Sequence, residues 1–169
     1  MLWLVRHATV ELRLDEPART WPLTEEGRFA AEELARRLPP LARVLSSPEP
    51  KATATAEPIA RTAGVEVEVD ERLREVERAG NLPNYASHRA AVARYLTGEP
   101  VAGWEPRERA LARVRATVAD LDEAAVVSHG MLLSLLLGYS FEQWSRIALP
   151  DVIEWQPGTP SAPRPNVPL

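Results

Sequence analysis

Leu2-Trp3-Leu4-Val5-Arg6-His7-Ala8-Thr9 decides how this chain is read. Four apolar residues stop at a charged pair, the pattern of a short buried strand that delivers its last residues to the edge of a sheet. In open α/β sheets, ligands bind outside the carboxyl ends of the strands, so Arg6 and His7 are expected where chemistry happens. Arg offers a planar fork of donors suited to phosphate or carboxylate. A neutral imidazole serves as base, nucleophile or metal ligand. A second apolar run, Ala124-Ala125-Val126-Val127-Ser128, ends in the same way at His129-Gly130. Two strands that each finish in a His predict that both imidazoles meet at one sheet edge.

Between these runs the punctuation is clear. Residues 10–22 are polar and irregular, and Thr24 is placed to cap a helix whose first turn holds Glu25 and Glu26. Gly27, Ala30, Ala31, Leu34 and Leu38 share a face of that helix, which Pro39-Pro40 stops. Gly27 either permits close packing or is simply tolerated near a helix start. Val44–Ser47 reads as a strand, Pro50 opens a helix and Gly64 ends it. Val65–Val69 alternates as a half-exposed strand, and residues 70–83 form a charged loop. Helices are expected over 85–97, around Leu111, Val114 and Val118, and from Met131 to Leu137. Ser140 caps a short helix through Ile147, and Asp151–Trp155 is a last strand at an edge. His88 reads as a partly exposed helix residue rather than a ligand. Residues 1–169 are expected to form one domain, with residues 156–169, five of them Pro, as an extended strap or a disordered tail.

Composition narrows the chemistry. The net charge of −4 gives no reason to expect nucleic acid as a partner. No apolar stretch approaches the ~18 residues of a membrane span, and the first residues are better used as a strand than as a signal peptide. The cytoplasm is the default expectation. The absence of Cys removes disulfides, thiolate metal sites and a Cys nucleophile. Only three His are present, without metal-ligand spacing, so neither a metal nor another cofactor is expected. Nearly all basic residues are Arg, and the one Lys is Lys51. That balance, with 16 Pro, suits a thermophilic source or a GC-rich genome.

Taken together, Leu4-Val5-Arg6-His7-Ala8, Leu23-Thr24-Glu25-Glu26-Gly27, Ser46-Ser47-Pro48, Thr55-Ala56, Leu73-Arg74-Glu75 and Val127-Ser128-His129-Gly130 resemble the histidine phosphatase superfamily. The resemblance covers residues 2–138 in the family's order. It implies a three-layer α/β/α sandwich of the phosphoglycerate-mutase-like kind, with a mostly parallel sheet and the site at the strand ends. By the same resemblance His7 is the nucleophile that becomes phosphorylated, and Arg6 and His129 hold phosphoryl oxygens. Glu75 stands in the position of the acid that protonates the leaving group. Such an acid is worth ~10²–10⁴-fold in rate. Burial and a neighbouring Arg both keep an imidazole nucleophile neutral.

The departures from the family pattern are specific. Lys51 stands where the family usually has a second Arg, and a Lys is a point charge without the bidentate fork. Lys51 is expected to contact phosphate as a weaker clamp. Arg13 stands where many members have Asn, and either adds a cation to the pocket or faces solvent. Glu105, ahead of Arg113, is a weaker correspondence to a pocket Glu of the family. The segment after Glu75 is short, which favours release to water over retention of a bisphosphate, hence phosphatase over mutase. The expected function is metal-independent hydrolysis of a small phosphomonoester. Alternatives are a phosphohistidine protein phosphatase, a weak phosphate-binding module or a mutase. Arg19, Trp21, Arg78, Asn81 and Tyr85, with Arg13, are candidates for the substrate rim. The chain is expected to be a monomer or homodimer.

Overall fold

The computed structural model describes residues 1–79 and 85–158. Strand β1 (Leu2–Arg6) lies inside a five-stranded sheet. The others are β2 (Arg43–Ser46), β3 (Val67–Val69), β4 (Ala124–Ser128) and β5 (Asp151–Trp155), in the order β3-β2-β4-β1-β5. The pairs β1–β4, β4–β2 and β2–β3 are parallel, and β5 runs antiparallel along β1 as an edge.

The helices are α1 (Glu25–Ala35), α2 (Pro50–Ala63), α3 (Tyr85–Leu96), α4 (Arg107–Val118), α5 (Gly130–Leu137) and α6 (Phe141–Ser145). Because successive strand residues point to opposite faces, the sheet sorts its side chains between two cores. Leu2, Leu4, Ala124 and Val126 join the core built with α3, α4 and α5. Val5, Val44, Ala125 and Val127 join the one built with α1 and α2. The result is a three-layer α/β/α sandwich. β4 and α5 are buried throughout, which is why both read as unbroken apolar runs. Among the described residues no helix is long and apolar enough to cross a membrane.

The punctuation acts as local chemistry dictates. The Thr24 hydroxyl accepts from the Gly27 N–H at 2.9 Å and caps α1. Gly64 ends α2 in a left-handed conformation, φ 72°, and Ser140 with Gln143 forms a capping box on α6. Three boundaries differ from the sequence reading. Helix α1 ends at Ala35, short of Leu38, because the Arg37 N–H bonds Leu34 O and tightens the chain before Pro39. Helix α6 ends at Ser145, where the Arg146 N–H bonds back to Gln143 O. Strand β3 begins at Val67, since Val65 N–H is used to close the end of α2 on Ala60 O.

Gly27 is required by close approach. A Cβ built there lies 2.3 Å from the Thr9 carbonyl oxygen, so the start of α1 is pressed onto the backbone just beyond His7. Of the tail, Gln156–Gly158 is described; the remainder of the expected strap, 159–169, lies outside the described residues.

Candidate active site

Parallel pairing of β1, β4 and β2 brings three strand ends to one edge. Arg6 pairs with Ser128 in register, and Ser46 with Val127. The ladder runs one residue further on each side: His7 N–H donates to Ser128 O and Ser47 N–H to Val127 O, both at 3.0 Å. His7, His129 and Ser47 are therefore neighbours by register. The imidazole centroids of His7 and His129 are 5.2 Å apart.

The His7 Nδ1 lies 2.8 Å from Ala8 O. A carbonyl only accepts, so Nδ1 carries the proton and the Nε2 lone pair is left for chemistry. Burial, then the neighbouring His129, Lys51 and Arg6, hold the His7 pKa well below the ordinary value of 6.5, against the Ala8 hydrogen bond. His129 is wholly buried, and its pKa is lowered by burial and then by Lys51, Arg78, Arg113 and Arg6. Its Nε2 is 2.8 Å from Ser47 Oγ, and its buried Nδ1 has no hydrogen-bond partner among the described residues. Both imidazoles are neutral near pH 7.

Arg6 donates through Nη1 to Ile147 O at 2.5 Å. It passes across Gly130, where a Cβ would stand 3.2 Å from the Arg6 Nε. Gly130 thus makes room for the guanidinium beside His129. Thr55 ties the loop after β1 to α2: its Oγ accepts from Ala8 N–H at 3.0 Å and donates to Lys51 O at 2.7 Å.

The carboxylate of Glu75 sits at the N-terminus of α5, which has no side-chain cap from its own N-cap, His129. Oε1 accepts from Leu132 N–H at 3.0 Å and Val76 N–H at 2.9 Å, and Oε2 accepts from Met131 N–H at 3.2 Å. Glu75 supplies the missing cap, where helix N–H groups and dipole favour an anion. The acid expected from the sequence is therefore adjacent to His129 by direct attachment to its helix.

Lys51 is buried and engaged. Its Nζ donates to Glu49 Oε2 at 2.6 Å and to Ala18 O at 2.7 Å, which stitches the 10–22 loop to α2. Glu49 was not singled out by the sequence reading, and its only local signal is its place two residues before Lys51. Arg113, which the sequence places only as a neighbour of Glu105, takes a larger part. It is bidentate on Glu105, with bonds of 2.8 and 2.9 Å, and donates to the carbonyls of Arg72, Arg74 and Glu75. Glu105 thus holds the residue that clamps the loop bearing Glu75.

The rim candidates separate. Arg13 is partly exposed and paired with Glu11 and Glu16, and Arg19 is exposed in a short 3₁₀ turn, Ala18–Thr20. Trp21 staples its loop by donating to Arg13 O and Glu16 O. Arg78 lies over the Trp104 ring at 5.5 Å, with Nη1 3.4 Å from His88 Nδ1, and its charge reaches His129. Burial and then Arg78 bring the His88 pKa down to about 4. Asn81 lies outside the described residues, as does the side chain of Tyr85, which begins α3. Among the described residues no group of three or more His, Asp or Glu side chains is arranged to hold a metal ion.

Comparison with known proteins bears on the family and the fold. Among curated protein sequences none matches the chain. Mycobacterial glucosyl-3-phosphoglycerate phosphatase is similar at 25% identity and a TM-score of 0.63, over 87% of this chain and 84% of that one. A protein of Thermus thermophilus is similar at 27% identity and a TM-score of 0.67, over 91% and 92%. YhfR of Bacillus stearothermophilus shares the fold at 24% identity and a TM-score of 0.69, over 94% and 92%. The family description "Histidine phosphatase superfamily (branch 1)" matches residues 2–152. The chain belongs to the histidine phosphatase superfamily, branch 1, and is an enzyme of the histidine phosphatase type.

Proposed function

We propose that the chain hydrolyses a phosphomonoester of a small metabolite through a phosphohistidine on His7. The observation that carries this reading is the state of His7. It is a neutral imidazole with Nδ1–H committed to Ala8 O, set 5.2 Å from a second neutral imidazole and beside Arg6. The name of the mycobacterial relative, a phosphatase of a glucosylated phosphoglycerate, supports a small phosphorylated substrate.

In the first step His7 Nε2 forms a bond to phosphorus while the bond from phosphorus to the alcohol oxygen breaks. The Glu75 carboxylate takes up a proton from solvent as the phosphate dianion settles beside it, and in the step it gives that proton to the leaving oxygen. In the second step water attacks phosphorus, the P–N bond breaks and returns its electron pair to Nε2, and Glu75 recovers a proton from the water. Phosphoryl transfer needs positioning and charge stabilisation on the equatorial oxygens. Arg6, the unpartnered Nδ1 side of His129 and the Lys51 ammonium supply those contacts. The carboxylate at Glu75 supports an ester with a poor leaving group over a phosphoramidate, which needs less acid assistance.

The test is hydrolysis of para-nitrophenyl phosphate and a panel of phosphorylated metabolites, in chelator, by the wild type and His7→Ala. The expected result is activity that survives chelator and is lost in His7→Ala. The trapped phosphoenzyme should be acid-labile and base-stable, as a phosphoramidate is. Full activity in His7→Ala, or an acid-stable adduct, refutes the mechanism.

A further inference from the structure

Glu49 is a carboxylate placed where phosphate is expected to bind. It is 4% exposed and follows directly on the Ser46-Ser47-Pro48 turn, at the N-cap of α2. The cap position does not account for it, because its side chain makes no capping bond to α2. It reaches three other parts of the site instead. Oε2 accepts from Lys51 Nζ at 2.6 Å, Oε1 accepts from the backbone N–H of Glu75 at 2.9 Å, and Oε1 lies 3.4 Å from His129 Nε2. Its partners therefore come from α2, from the loop carrying the acid and from the end of β4.

We infer that Glu49 is a positioning and charge-balancing residue of this site, which competes with the phosphoryl group for Lys51 and holds the backbone of Glu75. The inference rests on the phosphatase reading above and adds to it a determinant of affinity. A buried ammonium two residues from a buried carboxylate is charge-compensated before any ligand arrives. An incoming phosphate dianion must share Lys51 with Glu49 and bear the repulsion of a like charge within the same low-dielectric pocket. The site is thereby biased toward weak retention of phosphate, which suits release of inorganic phosphate after hydrolysis. The bond to Glu75 N–H gives Glu49 a second and separable effect on the position of the acid.

The two effects separate by substitution. Glu49→Gln keeps one acceptor oxygen for Glu75 N–H, while its amide NH2 can no longer accept from Lys51 and the negative charge is gone. Glu49→Ala removes the acceptor as well. The equilibrium dissociation constant of inorganic phosphate, measured by calorimetry at fixed ionic strength, reports affinity without turnover. For Glu49→Gln we expect binding tighter by roughly tenfold, the order expected for one like charge removed near a partly screened ligand, with KM lowered. Glu49→Ala is expected to lose kcat beyond the Glu49→Gln value, since Glu75 loses its anchor. Lys51→Met should weaken phosphate binding, and adding Glu49→Gln to it should restore most of the loss.

Failure to fold does not close the test. The double variant Lys51→Met/Glu49→Gln leaves no buried charge uncompensated and carries the same comparison against Lys51→Met. Unchanged or weaker phosphate binding in folded Glu49→Gln, with no recovery in the double variant, overturns the inference. Wild-type protein that binds no phosphate overturns the phosphatase reading itself, and this inference with it.

Discussion

Replacing Arg113 by Met should disable the proposed acid, Glu75, without touching the proposed nucleophile, His7. Arg113 holds the carbonyls of Arg72, Arg74 and Glu75 and closes a bidentate pair with Glu105. The side chain of Glu105 is 4% exposed and that of Arg113 17%. Burial pushes the Glu105 carboxyl pKa up, but the Arg113 hydrogen bonds and charge outweigh it and hold the net value below the ordinary one. Loss of the guanidinium leaves a buried carboxylate without its partner, which costs about 3–5 kcal/mol. For a chain of this size that is a fall in Tm of about 6–20 °C. The loop also loses its clamp, so Glu75 is less well placed and kcat should fall by about 10²-fold, the lower end of what a positioned acid contributes. KM should move much less, because the proposed phosphate contacts lie on other elements. Thermal melts and steady-state kinetics on Arg113→Met and on Arg113→Met/Glu105→Gln measure both parts. The double variant should regain much of the stability but not kcat. Arg113→Met with a Tm within 2 °C of wild type, a limit of about 1 kcal/mol, and unchanged kcat would refute the reasoning.

Other consequences are equally direct. Gly130→Ala places a Cβ 3.2 Å from Arg6 Nε. It should lower kcat/KM by about tenfold through displacement of the guanidinium, with a stability loss of about 1 kcal/mol; kinetics equal to wild type would show that Arg6 has room to spare. Gly27→Ala meets the Thr9 carbonyl, a backbone atom that cannot turn aside, and should cost about 1–3 kcal/mol in urea melts. Acid should destabilise the fold early. His7 and His129 have depressed pKa values when folded and ordinary ones near 6.5 when unfolded. The unfolded chain therefore binds more protons, and stability is full above pH 6.5 and lost as pH falls below it. Each His contributes a slope of up to about 1.4 kcal/mol per pH unit. His7→Asn/His129→Asn should flatten the slope between pH 6.5 and 5, and an unchanged slope would contradict the neutral assignment.

Local chemistry alone set much of this protein. Apolar runs ending at His7 and His129 marked two strands, and Thr24, Ser140 and Gly64 marked helix ends where the structure has them. These signals are readable because a period, a cap or a stop is written in neighbouring residues. The meeting of the two His was also legible, since parallel strands place their carboxyl ends at one edge. Tertiary structure decided the partners. Glu49, Glu75 and His129 meet only because the register of β2, β4 and β1 sets their turns side by side. Arg113 reaches the loop bearing Glu75 only because α4 packs beside the Glu71–Leu73 turn. The sequence raises the expectation of a phosphate contact at Lys51, and the fold gives that ammonium a carboxylate of its own. A buried charge needs a compensating group, and in a chain folded across many residues that group is chosen by proximity in space, which no local pattern records.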